Sequence, residues 1–326
     1  MIAVTLIIKI EKEFGVRLPL ATLFEQSNIQ RLAKVIDDGI TPDKWRSLVP
    51  LRPTGSKKPL FLVHGLGLNV LLYTTIINYL DPKQPVFGLQ AKGLNGIDKP
   101  LETIEEIAKY YISEIMTVDP EGPYNLAGYS LGGNIAYEMG RQLTGMGKQV
   151  NFIGLLDSVA EGSIENLSAI NKFGSIVKFI VNYINWNITY FFKTSNESMF
   201  SVIKRRWRGL GKKMRGMDIT VEIEDNVSKG EQNELPKYLR SVHRANLRAG
   251  KNYVIKPYSG SVHLFKAAHQ TFYIVDPVNY GWDKYAKGGV IIHEIPGEHS
   301  STFAPPNDKI FSLILQEILD GKNVKS

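Results

Sequence analysis

From Pro59 onward the chain alternates short, wholly apolar runs with segments whose apolar residues recur three and four apart, and few architectures can absorb that pattern. "LFLVH" (60–64), "VFGLQA" (86–91), "YNLAG" (124–128) and "VNFIGLLD" (150–157) read as buried strands. Between them, "IEEIAKYYISEIMTV" (104–118) and "NIAYEMGRQLTGMG" (134–147) read as helices. Strands buried on both faces and joined through helices build a mostly parallel sheet with helices on either side. The alternation lapses over about 160–250, which reads as a helical insertion late in the sheet and a candidate lid. It resumes with "GSVHLFKA" (260–267), "GVIIHEIPG" (289–297) and a closing helix, Lys309–Leu319. The fold class is therefore α/β, a mostly parallel central sheet flanked by helices.

Upstream the pattern is different. In residues 1–40, Val4, Ile7, Ile10 and Phe14 keep helical spacing, "FGVRLPL" breaks it, and a second helix runs from about Ile29 to Ile36. That piece is too short to bury a core by itself. Residues 41–58, with three prolines and several basic residues, read as a linker, and 59–326 as the main domain. The chain has no cysteine, which excludes disulfides, cysteine–zinc sites and a thiol nucleophile, and fits a reducing, cytoplasmic setting. Nothing resembles a signal peptide. "FGSIVKFIVNYINWNITYFF" (173–192) is long enough to span a bilayer, but Lys178, Asn182, Asn185 and Asn187 are costly in hydrocarbon, so it reads as an amphipathic cover and no membrane partner is expected.

The chemistry begins at Gly128-Tyr129-Ser130-Leu131-Gly132, a G-x-S-x-G pattern set between a strand and a helix. The glycines permit a sharp turn that exposes the serine oxygen at the carboxyl edge of the sheet, and Gly133 lets the next helix pack closely. The bland alternative is a glycine-rich turn that binds phosphate or merely turns. A serine nucleophile needs a base. His299, in "PGEHSSTFAPPN", follows the last strand and so lies at the same edge as Ser130. His263 and His293 sit within strands, His64 closes the first strand of the main domain, and His243 and His269 lie at the lid exit and in a loop. For the orienting carboxylate, Asp157 ends the strand after the nucleophile helix, whereas Asp276 and Asp283 lie well past theirs; placement favours Asp157. In "FLVHGLGLN" (61–69), the N–H of Leu66, with that of Leu131, could bind an oxyanion. A dinucleotide loop is the competing reading of Gly65-x-Gly67, but the third glycine is missing and the next strand ends in Gln90 rather than an acid.

At this point the motifs "FLVHGLG", "GPYNLAGYSLGGNIAYEM", "LLDS" and "IPGEHSS" together resemble the thioesterase domains that end nonribosomal peptide and polyketide synthases, within the α/β-hydrolase superfamily. The resemblance covers residues 59 to about 322. It implies a lid after the acid-bearing strand, and it independently selects Asp157. "LIIKIEKEFGVRLPLATLFEQSNIQRLAKVI" (6–36) is similar to the back half of a phosphopantetheine carrier domain, with no serine matching the modified one, so the segment is expected to bear no arm of its own. The resemblance implies acyl transfer from an upstream carrier's phosphopantetheine thioester to Ser130, then release by water or by an internal nucleophile, with no further cofactor. Carrier domain and acyl or peptidyl thioester are the expected partners. A free-standing esterase or lipase of the same fold is the second reading, and a docking module that keeps the fold without activity is the third.

The net charge of +7 weakly favours acidic partners. "KRRWRGLGKKMR" (204–215) holds seven basic residues and no acid. It is either a solvated helix face or a docking patch for an acidic carrier or the phosphopantetheine phosphate. Nucleic acid is not expected, since Trp207 is the only stacking aromatic there.

Overall fold

The structure, a computed structural model, describes residues 2–18, 22–25, 28–38, 45–160, 236–270, 274 and 276–322. The aromatic-rich stretch 173–192 and the basic stretch 204–215 lie outside the described residues, as does most of the expected lid.

Three helices open the chain: α1 (Ile2–Phe14), α2 (Thr22–Glu25) and α3 (Ile29–Asp38). Ile7, Ile10 and Leu18 form their small core. The chain continues through β1 (Leu48–Arg52), β2 (Leu60–Val63), α4 (Thr74–Ile77), β3 (Val86–Leu89), α5 (Ile104–Ile115), β4 (Tyr124–Tyr129), α6 (Leu131–Gly145) and β5 (Val150–Leu156). After the undescribed stretch come α7 (Lys237–Asn252), β6 (Val262–His269), β7 (Val290–Glu298) and α8 (Asn307–Leu319).

Seven strands make one sheet in the order β1-β3-β2-β4-β5-β6-β7, parallel except for β1. Strand side chains alternate between faces. Phe61, Val63, Leu126, Ile153, Leu155 and Leu264 join α5 and α6 in one core, while Leu60, Leu62, Ala127, Phe152, Leu156 and Phe265 join α4 and α8 in the other. α5 shows how the helices earn their place. Thr103 caps it by accepting from the Glu106 N–H, and Glu105 and Glu106 sit favourably in its first turn. Ile104, Ile107, Tyr111, Ile112 and Ile115 then face the sheet, each worth about 1.5–3 kcal/mol of burial.

The segment read as a linker differs from that reading, because it contains β1. Prolines at 50 and 53 hide this strand in the sequence, since proline cannot donate to a ladder. An edge strand tolerates them, and the pairing shifts register between Pro50 and Arg52. Arg52 then fixes the edge by donating to the carbonyls of Ile77 (3.0 Å), Asp81 (2.7 Å) and Gln84 (3.1 Å). The other expected strands and helices appear within a few residues of their expected ends. α6 begins three residues early, at Leu131 rather than Asn134, because the turn at Ser130 passes straight into helix.

The opening helices rest on the main domain through one polar cluster. Arg17 donates to Glu11 (2.8 Å) and to the Asn95 carbonyl (2.6 Å), and its guanidinium lies 4.2 Å over the ring of Tyr238 on α7. The Tyr238 hydroxyl closes the ring of contacts by donating to Glu11 (3.0 Å).

A second polar cluster gathers around a buried carboxylate. Glu138 of α6 is buried and accepts from Arg141 at 2.8 and 2.7 Å, from Gln142 at 2.8 Å and from the Tyr253 hydroxyl at 2.9 Å. Burial pushes its carboxyl up, but these bonds outweigh that and hold it below the usual carboxylate range. Glu138→Ala strands the buried Tyr253 hydroxyl, so we expect a loss of about 2–4 kcal/mol, read from urea unfolding.

Candidate active site

Topology prepares the site. β3 lies on one side of β2 and β4 on the other, so the connections leaving β2 and β4 diverge in opposite directions. Parallel sheets open a crevice at the carboxyl ends of their strands where such a reversal occurs. The loop beginning at His64 and the turn at Ser130 flank that crevice.

Ser130 is held at φ 53°, ψ −122°, a strained conformation for a residue with a side chain, and is partly exposed. Two contacts make the turn possible. A Cβ on Gly128 would lie 2.0 Å from the Gly132 carbonyl oxygen, and one on Gly132 would lie 2.4 Å from the His64 carbonyl oxygen. Strand, turn and helix approach so closely that only glycine fits. The turn is pinned by the Ser130 N–H to the Leu156 carbonyl (3.0 Å) and the Gly133 N–H to the Ser130 carbonyl (2.9 Å).

Asp157 and His299 meet. His299 Nδ1 donates to Asp157 Oδ2 at 2.6 Å, and both residues are buried. The other carboxylate oxygen, Oδ1, accepts from the Ala267 N–H (3.1 Å) and from the Tyr280 hydroxyl (3.3 Å). Burial and the neighbouring Asp157 carboxylate push the Tyr280 phenol far above its ordinary range, so it stays a donor. Gln270 in turn donates to Tyr280. Asp157 also lies in the left-handed region, φ 46°, with its N–H bonded to the Phe265 carbonyl (2.8 Å).

The competing acids are placed elsewhere. Asp276 accepts from the N–H groups of Val278, Asn279 and Gly281 and so holds a turn, and Asp283 is exposed in a short helical turn. Of the other histidines, His263 and His293 stack on each other from adjacent strands, with nitrogens 3.0 Å apart. His243 on α7 reaches the Leu66 carbonyl at 3.3 Å.

Leu131 opens α6, so its N–H belongs to the first turn, where no intrahelical acceptor exists. Leu66 sits in a turn closed by the Leu68 N–H on the Gly65 carbonyl (2.9 Å). His64 braces that turn, with Nδ1 on the Gly65 carbonyl at 2.6 Å and Nε2 on the Tyr111 hydroxyl at 2.8 Å. A carbonyl can only accept, so the neutral ring carries its proton on Nδ1, and its Nε2 faces the Tyr111 hydroxyl, whose single proton also lies within reach of the Gln90 carbonyl at 3.0 Å.

Sequence reasoning missed Tyr129, Tyr280 and the bracing role of His64. Tyr129 occupies a position that the G-x-S-x-G pattern leaves free. Tyr280 is 123 residues from Asp157, and no spacing announces it.

No helix among the described residues is long and apolar enough to cross a membrane.

Residues 58–172 match the family described as "Thioesterase domain", and residues 1–36 match "Phosphopantetheine attachment site". The chain is 36% identical over 158 residues to a dimodular nonribosomal peptide synthase of Bacillus subtilis (strain 168), covering 48% of this chain and 7% of that protein. Among solved structures, a four-domain nonribosomal peptide synthetase bound to AMP and glycine is 25% identical with a TM-score of 0.62, covering 97% of this chain and 23% of the other. A thioesterase domain, NocB, in covalent complex with a fluorophosphonate nocardicin G analog is 22% identical with a TM-score of 0.55, covering 83% and 99%. This last likeness is one of fold. The chain thus spans only a small part of the synthetases it matches.

Burial pushes the pKa of His64 down to about 4. A base with a lowered folded-state pKa binds its proton more readily when unfolded. Its stabilising contribution is complete above about pH 6.5 and is lost as pH falls toward 4. For this enclosed ring the loss amounts to about 3 kcal/mol. In unfolding titrations at a series of pH values, His64→Asn should flatten the decline across that window by a comparable amount.

Proposed function

Because the chain carries a thioesterase domain of the kind found in nonribosomal peptide synthetases, preceded by a carrier-domain fragment, we propose that it releases a peptide or polyketide acyl chain from a carrier's phosphopantetheine thioester through an acyl-Ser130 intermediate. The observation that carries this reading is the 2.6 Å contact between His299 Nδ1 and Asp157, formed at the same sheet edge as the strained turn of Ser130.

With Nδ1 donating to Asp157, His299 Nε2 holds the lone pair that accepts the Ser130 proton. The serine oxygen attacks the thioester carbonyl, and the new oxyanion is met by the N–H groups of Leu66 and Leu131. Collapse expels the phosphopantetheine thiolate, which takes the proton back from imidazolium. Asp157 stabilises that imidazolium without taking the proton itself. The ester is then attacked by water, or by a hydroxyl or amine of the acyl chain, with His299 again accepting the proton, and Ser130 is regenerated. Water gives a free acid and an internal nucleophile gives a ring.

The reading divides the chain into a carrier-derived piece at 1–40, a connection that reaches the main sheet at β1 (Leu48–Arg52), and a thioesterase domain that runs on to 326 with its lid at about 160–250. The carrier supplies the substrate's phosphopantetheine, and the thioesterase needs no cofactor of its own. A cytoplasmic setting belongs to the same reading. The carrier fragment weighs against a free-standing esterase or lipase.

A fluorophosphonate probe should label the protein once, with the adduct mapping by peptide mass spectrometry to Ser130. Ser130→Ala should abolish labelling and lower turnover of a carrier-bound acyl thioester by at least about a thousandfold. Equal rates on the carrier-bound thioester and on a short-chain ester would favour the esterase instead.

A further inference from the structure

We propose that Tyr129, the free position of the serine motif, is a positioning residue that holds the base loop and the oxyanion loop in register with the nucleophile. The proposal rests on the assignment of Ser130, Asp157 and His299 given above.

Tyr129 is the last residue of β4 and is joined to Ser130 by a single peptide, so whatever fixes it also fixes the strained turn. Its ring lies nearly parallel to the His299 imidazole, with centroids 4.6 Å apart and planes at 27°. Its hydroxyl donates to the backbone carbonyl of the same histidine at 2.6 Å. One side chain therefore holds both the ring and the main chain of a residue 170 positions away.

The same ring meets the loop after β2. A Cβ on Gly65 would stand 3.0 Å from Tyr129 Cδ1, so that backbone packs directly on the tyrosine. The main chain adds a third tie. The Tyr129 N–H donates to the Tyr73 hydroxyl (3.1 Å), which donates to the Val63 carbonyl at the end of β2 (2.6 Å). Phe303 closes the cluster edge-on to both tyrosines, at 5.1 Å from Tyr129 and 5.5 Å from Tyr73. Tyr129 thus sits among three backbones that must be placed together: the nucleophile turn, the base loop and the oxyanion loop.

The hydrogen bond and the stack separate by substitution. Tyr129→Phe keeps the ring and loses the bond to the His299 carbonyl. Tyr129→Leu loses both. On an acyl-thioester substrate, kcat should fall about fivefold in the first variant and about fiftyfold in the second, with KM nearly unchanged in both. The rate of fluorophosphonate labelling at Ser130 should fall in the same order, and thermal unfolding reports whether each variant is folded. Should Tyr129→Leu fail to fold, Tyr129→Phe alone decides the matter. Wild-type kcat in Tyr129→Phe, or a loss carried by KM rather than kcat, overturns the proposal. If the unaltered protein is not labelled at Ser130, the assignment of the site fails. If it is labelled and both variants label at the same rate, only the role of Tyr129 fails.

Discussion

The bond between His299 and Asp157 spans the sheet rather than a single loop. Asp157 follows β5 and His299 follows β7, so the contact crosses over the intervening strand, β6. It forms because β6 takes part: the Ala267 N–H holds the far oxygen of the carboxylate, and the Phe265 carbonyl holds the Asp157 N–H. Three parallel strand ends must keep their relative heights for one 2.6 Å contact to exist. The cores on both faces, and the clamp that Arg52 places on the opposite edge, serve that end by fixing the sheet as a body.

Strain at the site is concentrated where tertiary contacts over-determine it. Ser130 and Asp157 both occupy left-handed backbone conformations that a residue with a side chain adopts only at a cost. Each is fixed by backbone bonds to a neighbouring strand: Ser130 to Leu156, Asp157 to Phe265. The parallel sheet thereby holds two unfavourable residues side by side at its carboxyl edge. Close packing at Gly128 and Gly132 brings the start of α6, where the Leu131 N–H has no acceptor within the helix, to the same place.

Much of this was legible from sequence. Buried apolar runs announced the parallel strands, because burial on both faces leaves no room for polar alternation. Glycine spacing announced the turn at Ser130, because close approach excludes any Cβ. The order of strand ends pointed to Asp157 and His299. What escaped notice has physical causes. β1 escaped because Pro50 within it and Pro53 just past it look like breakers, and a proline inside a strand is tolerated at an edge. The start of α6 escaped because Gly132 and Gly133, poor helix formers, lie in its first turn. Tyr129 and Tyr280 escaped because each acts on a group distant in sequence through a contact that no periodicity encodes. Topology favoured one of six histidines, and the structure shows other contacts for four of the rest: His64 braces a loop, His263 and His293 pack as a pair, and His243 reaches the Leu66 carbonyl.

The edge strand β1 has a consequence for chain geometry. About ten peptide steps separate the end of α3 at Asp38 from the first residue of β1 at Leu48, and so short a tether extends no further than about 35 Å. Because β1 is paired into the sheet, that reach is measured from a fixed point of the main domain. The opening helices are therefore confined near the sheet by the covalent chain, and the contacts of Arg17 with Asn95 and Tyr238 form between partners already held close together.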